Sequence, residues 1–166
     1  MKVIMMMAIT ADGMIGKHAD HLANWTSKED KQEFIKLSKE CGVIMMGSST
    51  FNTFPAPLKD RLNVVFTREE NLAEKEGVKY VSGEPQKILK ELEEMGYTQA
   101  MLGGGAQINS LFLKEKLIDE IVLTIEPKIF GAGIPLFKDE NDIDLELLEM
   151  KKLNENTISV RYKVKY

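Results

Sequence analysis

The chain has 166 residues, 43% hydrophobic and 29% charged, with a formal net charge of −4. That balance suits one soluble globular domain able to bury a core, and without a basic patch or stripe it argues against nucleic acid as a partner. A single cysteine, Cys41, excludes an internal disulfide, and no apolar run approaches the roughly 20 residues that a membrane-spanning helix needs.

Lys2–Ile9 is a continuous apolar run and predicts a central strand buried on both faces. It is short for a secretory signal core and lacks a clear cleavage site. Thr10–Asn24 has no clean period and carries Gly13 and Gly16. A loop this long in a compact domain is a functional candidate. Within it, Ile15-Gly16 offers an apolar side chain beside bare backbone, suited to a flat ligand or to an ordinary turn. His18, Asp20 and His21 share the loop. Loop histidines are more often solvated than metal-bound, so no metal is expected.

Trp25–Cys41 predicts a helix. At 100° per residue, Asp30, Phe34, Leu37 and Cys41 share one stripe, while Glu29, Lys31, Glu33, Lys36, Lys39 and Glu40 point elsewhere. A carboxylate on an inward face is costly unless something pairs with it. Asp30 is therefore the first candidate for chemistry. The competing reading is a helix cap. Ser27-x-x-Asp30 fits the start signature loosely, and Thr26-x-x-Glu29 fits the capping box better. On these residues the structural and functional readings stand level. Gly42 suits the helix stop.

Val43–Met46 reads as a short buried strand, and Gly47-Ser48-Ser49-Thr50-Phe51 leads from it into a short helix. Free N–H groups and hydroxyls at a helix start suit anions, phosphates included, though hydroxyls are also common caps. Phe54-Pro55-Ala56-Pro57 breaks the chain. Arg61 precedes the strand Leu62–Thr67, and Arg68 follows it, in reach of a phosphate there. Val78–Val81 is a short strand. Glu84–Met95 is a helix with Pro85 in its first turn, Ile88, Leu89, Leu92 and Met95 on one face, and Gly96 at its end. Strand Gln99–Leu102 runs straight into Gly103-Gly104-Gly105 and the helix Ala106–Lys114. Such a join admits a phosphate or ring against the backbone, or serves as a tight turn. It has neither the Lys-Ser/Thr of a P-loop nor full G-x-G-x-x-G spacing.

Leu117–Ile125 is a strand with Thr124 near its end. Pro127–Phe137 is rich in glycine and proline and suits core or a subunit interface. Leu145–Leu153 and Ile158–Tyr166 form a closing hairpin, with Ile158, Val160, Tyr162, Val164 and Tyr166 alternating onto one face. The expected architecture is a single α/β domain over residues 1–166. Its sheet is central, mixed and mostly parallel, with about eight strands, helices on both faces and a C-terminal antiparallel hairpin. Ligands in such sheets sit beyond the strand ends.

The order and spacing of these pieces resemble the dihydrofolate reductase superfamily. The resemblance runs from the strand ending in Ala8 through Asp12-Gly13-Met14-Ile15-Gly16 and Trp25 to Asp30 and Phe34. It continues through V-I-M-M-G at 43–47 with Thr50, Arg61 before N-V-V, the three glycines, and Thr124 in L-T-I-E-P. Two enzymatic branches share this frame, dihydrofolate reductases and the reductase domain of riboflavin biosynthesis. The T-A-D-G start, W-T-S-K-E-D and D-E-I-V-L-T-I-E-P with its following F-G-A-G-I-P-L-F are shared with the second branch. Asp30, Phe34, Arg61 and Thr124 match the first.

The resemblance implies NADPH-dependent reduction of 7,8-dihydrofolate to tetrahydrofolate, with hydride to C6 and a proton to N5. The alternative is reduction of a ribosylaminopyrimidine or another pteridine. It further implies catalytic roles for Asp30, Trp25 and Thr124, and substrate contacts from Ala8, Asp30, Phe34, Arg61 and Thr124. NADPH would meet Ile15, Gly16, Gly47, Ser48, Ser49, Thr50, Thr67, Arg68, Gly103, Gly104, Gly105, Ala106 and Gln107. Ser48 and Ala106 stand where the family often has basic residues, so Arg68 is the implied partner of the adenosine 2′-phosphate. A cytoplasmic monomer or homodimer is the expected setting.

Overall fold

The computed structural model describes residues 1–166. Its first strand, β1 (Lys2–Thr10), seals Val3 to Met6 on both faces. Successive side chains leave a strand on opposite sides, so Val3 and Met5 enter one apolar cluster while Ile4 and Met6 enter another. β1 runs parallel to β6 (Gln99–Leu102) on one side and β7 (Glu120–Glu126) on the other. The expected strand from Leu117 starts three residues later, because Asp119 turns back to accept a bond from Val3 N–H at 2.7 Å.

Outward from β6 lie β3 (Val43–Gly47), β4 (Leu62–Phe66) and β5 (Val78–Val81), all parallel. Outward from β7 lie β10 (Ile158–Lys165) and the edge strand β9 (Asp144–Lys152), both paired antiparallel. This is the expected eight-stranded, mostly parallel mixed sheet, in the order β5-β4-β3-β6-β1-β7-β10-β9. A separate short pair joins β2 (Met14–Gly16) to β8 (Ile134–Pro135), placing structure in two segments read as loops. Helices α1 (Lys28–Cys41), α3 (Pro85–Glu94) and α4 (Ala106–Lys114) make the crossovers, and α2 (Ser48–Phe51) is one turn. No helix is long and apolar enough to cross a membrane.

Two local expectations are corrected. The helix expected from Trp25 begins at Lys28, and its cap is Ser27, whose Oγ accepts Asp30 N–H at 3.2 Å. The Thr26–Glu29 box does not form. Thr26 Oγ1 donates to Ala23 O, and Glu29 Oε2 accepts from Asn154 Nδ2. The reason is tertiary: Ser27 N–H is held at 2.7 Å by Glu126 from β7, which fixes where the first turn starts. The last strand also fails to alternate cleanly. Ser159 is buried beside Val160, and Tyr166 lies half exposed beyond the strand's end. β10 is an interior strand, and β9 bulges opposite Arg161–Tyr162, shifting the register.

At the far end of α1, Gly42 adopts a positive φ of 71° and stops the helix as expected. Asn63, fully buried in β4, bonds Leu58 N and O and Gly77 O. It thereby fixes the turn that carries Arg61. The carboxyl ends of β1, β3 and β6 point the same way, and the loops leaving them share one rim of the sheet.

Candidate active site

That rim encloses a cavity of about 430 Å³. β1 contributes Met7 and Ala8 to its wall, and β2 contributes Ile15 and Gly16. Gly47 and the α2 turn Ser48-Ser49-Thr50 form a second side. Gly103 and Gly105, with Ala106 and Gln107 of α4, form a third. Trp25, Asp30 and Phe34 close it from α1 and its approach.

The glycine turn is shaped for close approach. Gly104 holds φ at +89°, and a Cβ there would stand 2.8 Å from Met7 Sδ. No side chain caps α4, whose N-cap is Gly105. Its first-turn N–H groups remain free at the cavity wall, as an anion requires. The buried Trp25 Nε1 has no hydrogen-bond partner. A nicotinamide dinucleotide fits this donor set.

Asp30 is 6% exposed and faces the cavity. Burial pushes its carboxyl above the ordinary carboxylate value. The hydroxyls of Thr124 and Thr26 pull the other way, the Glu126 charge pushes up, and Lys31 pulls down. Thr124 sits behind Asp30 on β7, outside the cavity lining; its buried Oγ1 is near enough to favour the ionised carboxyl but closes no hydrogen bond. Phe34 stacks on Phe54 with ring centroids 6.3 Å apart, and both line the cavity.

His18, exposed as expected, and the half-buried His21 both line the cavity. His21 lies parallel to Trp25, with centroids 6.5 Å apart, and Phe130 meets Trp25 edge-on at 5.1 Å. His21 Nδ1 accepts Lys17 N–H at 3.0 Å. Burial, with the charges of His18 and Lys17, lowers its pKa, which favours a neutral ring near pH 7. No group of three His, Cys, Asp or Glu side chains is placed to hold a metal ion.

The family model described as "Dihydrofolate reductase" matches residues 2–158. The chain belongs to the dihydrofolate reductase family. It is 31% identical over 148 residues to a putative dihydrofolate reductase of Caenorhabditis elegans, covering 81% of this chain and 77% of that one. A putative riboflavin biosynthesis protein from a Shewanella species superposes with a TM-score of 0.80 at 24% identity, over the whole of both chains. The dihydrofolate reductase of Enterococcus faecalis, solved in complex with NADP(H) and RAB-propyl, superposes with a TM-score of 0.79 at 18% identity, covering 99% of this chain and 97% of that one. Family membership makes the protein an oxidoreductase of the dihydrofolate reductase-like kind.

Most positions implied by the family resemblance meet at this cavity, but five stand outside its lining: Arg61, Thr67, Arg68, Gly104 and Thr124. Arg61 lies against α1. Its Nη1 donates to Ser38 Oγ and Ile35 O, and its Nε donates to Lys59 O. Thr67 Oγ1 accepts Glu69 N–H, and Arg68 is exposed after β4. Gly104 turns its carbonyl to Gly47 N–H at 2.8 Å, tying the two glycine-bearing rims together.

Two acids escaped the sequence reading. Asp12 accepts bonds from Thr10 Oγ1, Gly131 N–H and Phe130 N–H, which hold its carboxyl below the ordinary value. It clasps the β7–β8 loop against the start of β2. Glu126 is 3% exposed and sits two residues beyond Thr124. The first entered only as part of the T-A-D-G start of the family resemblance, and the second only through its place in L-T-I-E-P.

The Asp12 clasp works beside a very close approach of β8 to β2. A Cβ on Gly133 would stand 2.4 Å from Gly16 O, closer than any backbone tolerates. Gly133→Ala therefore forces β8 off β2 and displaces the Ile15-Gly16 wall. A misplacement of this size is expected to weaken NADPH binding about tenfold, with the fold retained. Fluorescence titration with NADPH checks this; unchanged affinity would mean that the wall does not contact the cofactor.

Proposed function

We propose that the protein reduces 7,8-dihydrofolate to tetrahydrofolate with NADPH. The observation that carries this reading is Asp30, a buried carboxyl on the cavity wall with the unpartnered Thr124 hydroxyl behind it. A pterin presents an amidine edge of two N–H donors, and a carboxylate accepts both. NADPH, when bound, supplies the hydride that goes to C6.

The chain's own groups do the rest. Asp30 fixes the pterin in one orientation, and its raised proton affinity eases protonation of N5 near neutral pH. Phe34 packs on the ring system. Trp25 offers its Nε1–H, and with Ile15-Gly16 it covers the reacting face and excludes water. The uncapped start of α4 and the Ser48–Thr50 turn would hold the cofactor's phosphates. Arg68, exposed beside that end of β4, is the group for the 2′-phosphate, which favours NADPH over NADH.

A ribosylaminopyrimidine is the second reading. It is favoured by one observation: no arginine lines the cavity to receive a glutamate carboxylate. The deciding assay is oxidation of NADPH, and separately NADH, by purified protein offered each substrate. Oxidation with the pyrimidine alone would sink the leading reading.

Arg61→Leu separates the two further. With Nη1 and Nε engaged on α1 and Lys59, Nη2 remains for a carboxylate. Loss of that charged hydrogen bond is expected to raise the KM for dihydrofolate about tenfold and leave the KM for NADPH unchanged. An effect confined to NADPH would show that the arginine serves the cofactor.

A further inference from the structure

The start of α1 holds an arrangement that the proposed chemistry does not use. In a capping box, the N-cap side chain takes the N–H of the third helical residue, and that residue's acid reaches back to the N-cap N–H. Ser27 and Asp30 occupy those two positions. Only half of the box is made: Asp30 N–H donates to Ser27 Oγ at 3.2 Å. The other half is taken by a residue 99 positions away. Glu126 Oε1 accepts Ser27 N–H at 2.7 Å, and Glu126 Oε2 accepts Thr157 Oγ1 at 3.1 Å. With its usual donor already satisfied, the Asp30 carboxyl is left to face the cavity.

We propose that Glu126 is the positioning residue for Asp30: by taking the Ser27 N–H, it keeps the Asp30 carboxyl from folding back as a helix cap. This deepens the reading above and rests on it for the role of Asp30. Glu126 does not line the cavity and acts through α1. Its own place is fixed from two sides. β7 carries it in register with Thr10 of β1, and the β9–β10 turn braces it through Thr157. The same turn reaches α1 again, where Asn154 Nδ2 donates to Glu29 Oε2 and Lys151 pairs with Glu33. Glu29 and Glu33, the other acids of those turns, are thereby occupied outside the cavity.

The groups facing the Asp30 carboxyl are Glu126 and Thr124 from β7, and Thr26 and Lys31 from its own segment. Lys31 Nζ is spent on Thr26 O at 3.0 Å. Loss of Glu126 therefore has two consequences at Asp30. A neighbouring negative charge disappears, and an orphaned N–H becomes available. Both favour the ionised carboxylate.

The test uses the full chain with Glu126→Met, which removes both acceptors at similar volume, and Glu126→Gln, which keeps an acceptor for Ser27 N–H without the charge. Two readouts are taken. One is the ¹³Cγ titration of Asp30 in aspartate-labelled protein without substrate, and the other is kcat and KM with dihydrofolate and NADPH. In Glu126→Met the Asp30 titration is expected to move to lower pH. There kcat falls at least about tenfold while the KM for NADPH stays within about twofold. In Glu126→Gln the titration also moves down, and kcat returns to within about threefold of wild type at the acidic end of its profile.

An unmoved Asp30 titration in both variants overturns the proposal. So does a Glu126→Gln enzyme as impaired as Glu126→Met across the whole pH range, since the amide keeps the acceptor for Ser27 N–H on which the proposal rests. If Glu126→Met does not fold, Glu126→Gln alone decides, and an unmoved titration there is fatal. Wild-type protein that turns over no dihydrofolate would count against the proposed function and leave the substrate-free titration to judge Glu126.

Discussion

Asp30→Asn is expected to bind NADPH as the wild type does and to lose between about 100- and 1,000-fold in dihydrofolate turnover at pH 7. An amide still fills the site and still meets Thr26 and Thr124. It cannot hold the acidic proton or accept both donors of the pterin edge. Dihydrofolate protonated by the solvent bypasses the missing acid, so the deficit should narrow as pH falls. A turnover number unchanged at pH 7 would remove Asp30 from the mechanism.

The same substitution carries a stability signature with a definite sign. Burial raises the Asp30 pKa in the folded state above its unfolded value. The unfolded chain therefore loses this proton first as pH rises. Stability contributed by the protonated group is complete below the unfolded value and declines as pH rises towards the folded one. Asp30→Asn escapes that decline. Its urea midpoint should exceed that of the wild type at pH 7 and match it near pH 3. A site that costs stability to keep a carboxylate buried behaves this way. A lower midpoint at pH 7 would show that Asp30 is fully compensated in the fold.

The second large effect lies under the cofactor side. Phe112 of α4 is fully buried and meets Phe66 edge-on, with centroids 5.6 Å apart and planes at 87°. Phe66 in turn lines the cavity at the end of β4. Truncating a buried phenylalanine to alanine costs about 3–5 kcal/mol, from lost transfer energy and the void left behind. Domains of this kind have only about 5–15 kcal/mol in total. Phe112→Ala should consequently drop the urea midpoint steeply and weaken NADPH binding, because α4 presents its free N–H groups from the same helix. Phe112→Leu keeps most of the volume and should cost about 1 kcal/mol. Equal midpoints for the two variants would mean that the volume Leu restores contributes little at this site.

Apolar periodicity located the long elements because the two-residue and 3.6-residue repeats are properties of the chain itself. It found the buried first strand and the α3 face through Ile88, Leu89 and Leu92, but not Met95, which follows the helix and is exposed. It also put Asp30, Phe34 and Cys41 on one face. Proximity in three dimensions has no such repeat. The short β2–β8 pair has only three and two residues, too few to show a period, and exists because Gly133 admits Gly16 O. The cavity-facing histidines were invisible for the same reason: their neighbours Trp25 and Phe130 come from separate segments.

The start of α1 shows where the boundary falls. The residues alone determined that Asp30 lies on an inward face and that a helix begins near Ser27. They left level whether that acid caps the helix or faces a ligand, because Ser27-x-x-Asp30 satisfies both. The tertiary structure turns the Asp30 carboxyl towards the cavity through a residue at the carboxyl end of β7, an interior strand beside β1. Glu126 is brought to Ser27 only when β7 pairs with β1 and α1 packs above them. A hydrogen bond across 99 positions carries no local pattern, yet it is the one that leaves Asp30 free to face the cavity.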